Sequence, residues 1–101
     1  MGYRYRLHDR KLPGKPDLVF RSRHKVIFVH GCFWHRHGAC RLARLPKSRL
    51  TFWQAKLEGN RVRDAQVLRQ LAQMGWNVMI VWECETKKLD TLKEKILEFL
   101  V

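Results

Sequence analysis

Acidic residues are scarce in this chain, and scarcest in its first half. Nine Asp and Glu stand against 21 Lys and Arg over 101 residues, a net charge of +12. Only Asp9 and Asp17 fall in residues 1–50, where thirteen basic residues leave a balance of +11; residues 51–101 carry eight bases and seven acids, a balance of +1. A basic half joined to a balanced half predicts one face built for a polyanion. Nucleic acid comes first, because Lys and Arg on phosphates release condensed counterions. A generic basic surface or an association with ribosomes would give the same charge. Long apolar runs are also missing. None approaches the roughly 20 residues needed to cross a bilayer, and MGYRYRLHDR lacks the apolar core of a secretory leader. A soluble chain is expected, cytoplasmic and nucleoid-associated in a prokaryotic-type cell, with no membrane partner. Cysteine is short and odd in number: Cys32, Cys40 and Cys84. That argues against a disulfide framework and leaves metal ligation or buried thiols. No repeat, low-complexity stretch or linker divides residues 1–101, so a single domain is expected.

A composition of 46% hydrophobic and 30% charged residues fits a folded domain and not a disordered one. A chain this short buries only about 65% of its unfolded surface, so a staple would help it. Gly2-Tyr-Arg-Tyr-Arg-Leu7 alternates apolar or aromatic with basic residues, the period of a half-buried strand. Asp9 to Pro16, with Pro13-Gly14-Lys15-Pro16, reads as a turn. Asp17-Leu-Val-Phe20 and Lys25-Val-Ile-Phe-Val29 read as an antiparallel hairpin across Arg21 to His24. Residues 31–47 have no period and hold two of the three Cys and two of the five His. A helix is expected from about Ser48 to Thr51, with Ser or Thr as its N-cap. Its apolar positions are Leu57, Val62, Ala65, Leu68, Leu71 and Ala72; Gly59-Asn60 is a candidate break and Gly75 the stop. Trp76 to Trp82 reads as a buried strand. A last helix follows from Thr86 or Asp90, with Leu89, Leu92, Ile96 and Leu100 on one face. The order β-β-β-α-β-α predicts a small α/β domain, a mixed β-sheet flanked by helices, with the strands at Val29 and Trp76 parallel neighbours across the helical crossover.

Three groups of residues could carry chemistry. Cys32, His37 and Cys40 with the remote Cys84 match a structural zinc site of three cysteines and one histidine, a zinc loop closed against the sheet that would contribute on the order of 10 kcal/mol. The alternative for Cys84 is a small buried hydrophobe. Asp17 opens one strand and His30 ends the next, the arrangement of a Mg2+ site for phosphodiester cleavage: a carboxylate binds metal and a histidine handles protons. Asp17 could equally be a turn residue after Pro16, and His30 and His35 ordinary packed or surface histidines. Phe33-Trp34, flanked by His30, His35, Arg36 and Arg41, could insert between base pairs, or one ring could pack on the zinc site. Trp53, Trp76 and Trp82 lie in periodic segments and are expected in the core.

Taken together, Leu12-Pro-Gly-Lys-Pro-Asp17, Val26-Ile-Phe-Val-His-Gly-Cys-Phe-Trp-His35, Phe52-Trp53, Asn60, Arg63-Asp64, Gly75-Trp76 and Val81-Trp-Glu-Cys84 closely resemble the very-short-patch repair (Vsr) endonuclease family, from about Gly2 to Cys84. The resemblance implies a restriction-endonuclease-like fold and strand nicking of double-stranded DNA 5′ to the T of T:G mismatches left by 5-methylcytosine deamination. It implies Asp17 and the Val29 backbone carbonyl as Mg2+ ligands, His35 as general base and His30 as the second active-site histidine. It further implies Cys32, His37, Cys40 and Cys84 as zinc ligands, and Phe33 and Trp34 as the intercalating aromatics. Lys47, Arg49, Lys56, Asn60 and Arg61 are candidate contacts to the DNA backbone, or simply part of a solvated basic face. A monomer is expected, with other DNA repair proteins as further partners.

Two departures from the family pattern stand out. Two residues separate His37 from Cys40 where the family has one, which predicts a reshaped zinc loop. Family members also begin with an additional helix that carries an acidic residue, whereas this chain starts at the strand, as a fragment or a short form would. The alternatives to a mismatch nicking enzyme are a zinc-stapled DNA-binding module that has lost cleavage, and a same-fold nuclease with another DNA target.

Overall fold

The computed structural model describes residues 5–7, 10–35, 37–38 and 40–101. Four strands form one sheet in the order β1-β2-β3-β4: β1 Arg6–Leu7, β2 Leu18–Phe20, β3 Lys25–His30 and β4 Asn77–Trp82. The expected first strand is described only at its end; residues 2–4 of it, and Asp9 of the turn after it, lie outside the described residues. β1 and β2 are antiparallel, as are β2 and β3, which pair Leu18 with Ile27 and Phe20 with Lys25. A short 3-10 turn over Arg21–Arg23 and His24 at φ 52° close that hairpin. β3 and β4 run parallel from Lys25↔Asn77 to His30↔Trp82. Helix α1, Leu50–Gln73, is the crossover that a parallel pair requires. Helix α2, Leu89–Leu100, follows a 3-10 turn over Glu83–Lys87. The mixed sheet flanked by helices is as expected.

Strand alternation divides the core into two layers. Val19, Val26 and Phe28 pack with Leu71 and Trp76 on the α1 side, joined by Val67, Val78 and Ile80. Phe20, Ile27 and Val81 pack with Leu100 on the α2 side, joined by Leu92, Ile96 and Phe99. His30, two residues beyond Phe28, therefore falls on the α1 face at the end of β3. The face that α2 presents is the expected one, save that Leu89 is exposed.

Helix α1 departs from expectation in three ways. Its N-cap is Arg49, at φ 54° and without a side-chain cap bond, in place of Ser48 or Thr51. The Arg49 guanidinium lies 4.4 Å from the Phe52 ring centroid, so a cation–π contact holds the entry where a hydroxyl was expected. Gly59-Asn60 does not break it: the 24-residue helix runs on, and Asn60 turns its amide N–H to Trp34 O, outside the helix. The buried stripe is also displaced. Leu57 and Leu71 are fully buried and Val67 and Leu68 partly so, whereas Val62, Ala65 and Ala72 face solvent. The helix stops where expected, at Gly75 (φ 85°), with Trp76 N–H on Leu71 O and Gly75 N–H on Ala72 O, a Schellman closure.

The turn before β2 is drawn tightly against α1. Gly14 sits at φ 74°, and a Cβ there would come within 2.5 Å of Val67 Cγ1. Only glycine fits, and its approach brings Lys15 and Asp17 to the end of the sheet where His30 emerges.

Candidate active site and metal centre

Asp17 immediately precedes β2 and, by alternation, shares the α1 face with Val19. The Val29 N–H donates to Asp17 Oδ2 at 2.6 Å, which locks the carboxylate across the mouth of the hairpin. Val29 itself turns an exposed side chain (49%) to the other face. His30 is buried at 7%, and its Nδ1 has no hydrogen-bond partner among the described residues. Burial lowers its pKa from the ordinary imidazole value, and the neighbouring His35 lowers it further, against the opposing pull of Asp64 and Asp17. The rings of His30 and His35 stack 3.8 Å apart and nearly parallel. His35 is held in a turn by its N–H on Gly31 O, and its Nδ1 lies 2.6 Å from Asp64 Oδ2. Asp17, His30, His35, Asp64 and Lys15 line one cavity of about 190 Å³.

Asp64 received no role from sequence reasoning, yet a signal for it existed. Asn60 and Asp64 lie one helical turn apart between Leu57 and Leu71, on the stripe that α1 buries. Polar residues interrupting a core stripe point at something other than packing. Here Asp64 engages His35, while Asn60 Nδ2 donates to Trp34 O at 3.1 Å and its Oδ1 accepts from Arg63. His30, His35 and Asp64 bring two nitrogens and an oxygen within 4.8 Å of one another. The parallel stack, however, sets the in-plane lone pairs of the two rings side by side, so a shared metal would require a ring to turn. The arrangement as it stands suits proton handling better.

The second group is the set that sequence spacing proposed. Cys32, His37, Cys40 and Cys84 place four donor atoms within 4.8 Å of one another. Tetrahedral thiolate ligands around a metal sit roughly 3.8 Å apart, so a small contraction completes the cage. The two-residue gap between His37 and Cys40 does not prevent convergence. Cys32 is fully buried, its Sγ accepts from Cys84 N–H at 3.4 Å, and Cys84 Sγ lies 3.5 Å from His37 Nδ1. Desolvation opposes a Cys40 thiolate, but hydrogen bonds with the Leu42 backbone, His37 and the other two cysteines outweigh it and bring its pKa down to about 7. Desolvation and the neighbouring sulfurs push Cys84 up to about 11. Three crowded thiols cannot all ionise without a cation among them, and a soft donor set of this kind fits a metal ion.

Phe33 and Trp34 have aromatic neighbours on α1. They join Trp53 and Phe52 in a cluster of edge-to-face rings, with centroid separations of 5.2 to 5.9 Å. Trp34 is 47% exposed. Trp53 belongs to this ledge and not to the core, because α1 carries it to the end of the sheet beside the loop; Trp76 alone of the three expected core tryptophans is buried. Trp82 is partly buried and packs on His30 and His37. A groove lined by Trp34, His35, Asn60, Arg63 and Asp64 leads from the ledge to the cavity. Lys47, Arg49, Lys56 and Arg61 line neither cavity nor groove; all four are exposed, and Arg61 pairs loosely with Glu58 at 3.8 Å. Arg36 lies outside the described residues.

Residues 1–41 match the family model described as DNA mismatch endonuclease Vsr. The chain is 53% identical over 100 residues to the type II nicking enzyme V.XorIIP of Xanthomonas oryzae, which spans 99% of this chain and 73% of that protein. It is 40% identical over 95 residues to the type II nicking enzyme V.NmeAIP of Neisseria meningitidis, covering 94% of this chain and 67% of the relative. It is 42% identical over 96 residues to the DNA mismatch endonuclease Vsr of Escherichia coli, covering 95% and 61%. No helix among the described residues is long and apolar enough to cross a membrane.

Proposed function

Because the chain belongs to the Vsr family of DNA mismatch endonucleases, we propose that it nicks one strand of double-stranded DNA, 5′ to the T of T:G mismatches. The observation that carries this reading is the convergence of Asp17, His30 and the His35–Asp64 pair on one cavity, joined by a groove to an exposed aromatic ledge.

The roles follow from the contacts. Asp64 engages His35 Nδ1, which favours the tautomer whose lone pair sits on Nε2. His35 is then the general base that takes a proton from the attacking water. His30 keeps a buried Nδ1 with no partner among the described residues, a group ready for a phosphate or leaving-group oxygen. Its depressed pKa favours the neutral ring, able to accept as well as donate. Asp17 and the Val29 carbonyl offer the oxygen ligands that suit Mg2+, which would polarise the scissile phosphate when bound. The donor set of Cys32, His37, Cys40 and Cys84, three sulfurs and one nitrogen, suits zinc in a structural role. Trp34 and Phe33 would wedge into the base stack, where a mismatch lowers the cost of unstacking. Arg49, Lys47, Lys56 and Arg61 would meet phosphates from the exposed side.

The test is a nicking assay on duplexes that differ by one T:G pair, with and without Mg2+, and with Asp17→Ala as control. Nicking confined to the mismatched duplex, dependent on Mg2+ and lost in the control is the expected result. Tight binding without nicking would leave a DNA-binding module in its place. Equal nicking of both duplexes would leave a nuclease with another target.

A further inference from the structure

The indole of Trp82 stands between the cavity and the Cys/His centre. The register of β3 and β4 pairs Trp82 with His30, and laterally paired residues project from the same face of a sheet. The Trp82 ring meets His30 edge-on, with centroids 5.3 Å apart at 79°, and stacks on His37 at 4.2 Å and 10°. His30 in turn stacks on His35, which holds Asp64. A continuous file of rings thus runs from Asp64 through His35, His30 and Trp82 to His37. Trp82 is also anchored by its backbone: its N–H donates to Glu85 Oε1 at 3.0 Å, and Glu85 pairs with Lys95 of α2 at 2.9 Å.

We infer that Trp82 is a positioning residue that makes the orientation of the His30–His35 pair depend on the metal held by His37, an inference that rests on the zinc and nicking roles proposed above. A metal bound by His37 fixes the plane of that ring, and stacking carries the plane to the indole. No hydrogen bond among the described residues orients His30 through Nδ1. Its ring is held by packing between Phe28, His35 and Trp82. The indole and the ring of His30 meet at 79°, the edge-to-face arrangement that aromatic pairs favour. Leucine would fill much of the volume but has neither a flat face for His37 nor an aromatic ring to meet His30. Phenylalanine has both.

Two measurements on the full chain decide the matter. The first reads histidine ring resonances by NMR with Zn2+ and then with Cd2+, a larger ion for the same donors. In the wild type the His30 and His37 resonances both shift between the two forms; in Trp82→Leu only those of His37 do. Wild-type His30 resonances that stay in place overturn the inference even if no variant folds, and so does a His30 shift that survives in Trp82→Leu. The second separates kcat from KM for nicking of a T:G duplex. Trp82→Leu should lose about 10- to 100-fold in kcat, as outer-shell changes around a metal do. Its KM should stay within about twofold, because duplex binding is untouched, and Trp82→Phe should recover most of the loss. An unchanged kcat in folded Trp82→Leu, a loss confined to KM, or no recovery with phenylalanine overturns it. A wild type that binds zinc yet nicks nothing would sink the proposed function instead, and the resonances would still decide the role of Trp82.

Discussion

The two sites lie side by side but are built in opposite ways. The cavity is held by regular structure: Asp17 and His30 sit at the ends of paired strands, and Asp64 on the buried stripe of a 24-residue helix. Each is fixed by hydrogen bonds or packing that need no ion. The Cys/His centre takes Cys32, His37 and Cys40 from an irregular loop and Cys84 from a 3-10 turn. Among the described residues that loop is tied to the sheet by the Cys32 N–H on Glu83 Oε1 at 3.3 Å, by the Cys84 N–H on Cys32 Sγ, and by the ring stacks of His35 on His30 and His37 on Trp82. One site is thus positioned by the fold, whereas the other would, with a metal bound, position part of the fold. His30 and His35 flank the entrance to that loop, so the first site borrows from the second.

Metal removal is the largest lever on this contrast. Chelation should destabilise the chain on the order of 10 kcal/mol, the scale of structural zinc linkage, and abolish its cooperative thermal transition. A transition that survives a strong chelator unchanged would mean that the loop is held by the fold after all. Breaking the cavity should do the reverse. Asp64→Asn keeps the shape but favours the wrong His35 tautomer, so nicking should fall roughly 10²- to 10⁴-fold while the melting temperature barely moves. Parallel losses of activity and stability in that variant would place Asp64 with the structural residues.

The same contrast governs what could be read from the sequence. Strand order, hairpin and crossover were legible because apolar periodicity and turn residues survive wherever structure is regular. The gathering of Cys32, His37, Cys40 and Cys84 was legible by type, since three thiols and an imidazole have few other reasons to converge. Asp64 was harder, because an acid within a helix reads as solvated surface until the buried stripe is known. Choosing Val62 and Ala65 for that stripe hid it. Trp82 was misjudged as core for a related reason: a large apolar ring in a strand says nothing of which rings it will meet. The helix entry at Arg49 was lost to a cation–π contact that cap statistics do not describe.

The aromatic ledge belongs to neither site and offers a finer cut between binding and chemistry. Trp34→Ala removes an exposed ring that contacts Phe33 and Trp53 without entering the cavity lining. Its loss should cost about 1–3 kcal/mol of base stacking, borne by the mismatched duplex more than by a matched one. Equal weakening on both would reduce the ledge to general DNA binding.

The smallest effect expected lies in the helix that supports the cavity. Gly59 stands in mid-helix, solvent-exposed, and a Cβ placed there would meet nothing among the described residues within 4 Å. Its backbone is ordinary helix, so alanine incurs no strain and restricts only the unfolded chain. Gly59→Ala should therefore stabilise the protein by about 0.5–1 kcal/mol. For a domain of this size that is a rise of roughly 2–8 °C in the melting temperature. Because α1 is already continuous through Asn60 and Asp64, stiffening it should leave kcat for T:G nicking where it is. A stabilised variant that nicks more slowly would show that α1 must flex at Gly59 for Asp64 and Asn60 to close on DNA. The cavity would then be shaped by its substrate as the loop would be by a metal, and the opposition between the two sites would narrow to a matter of which ligand does the ordering.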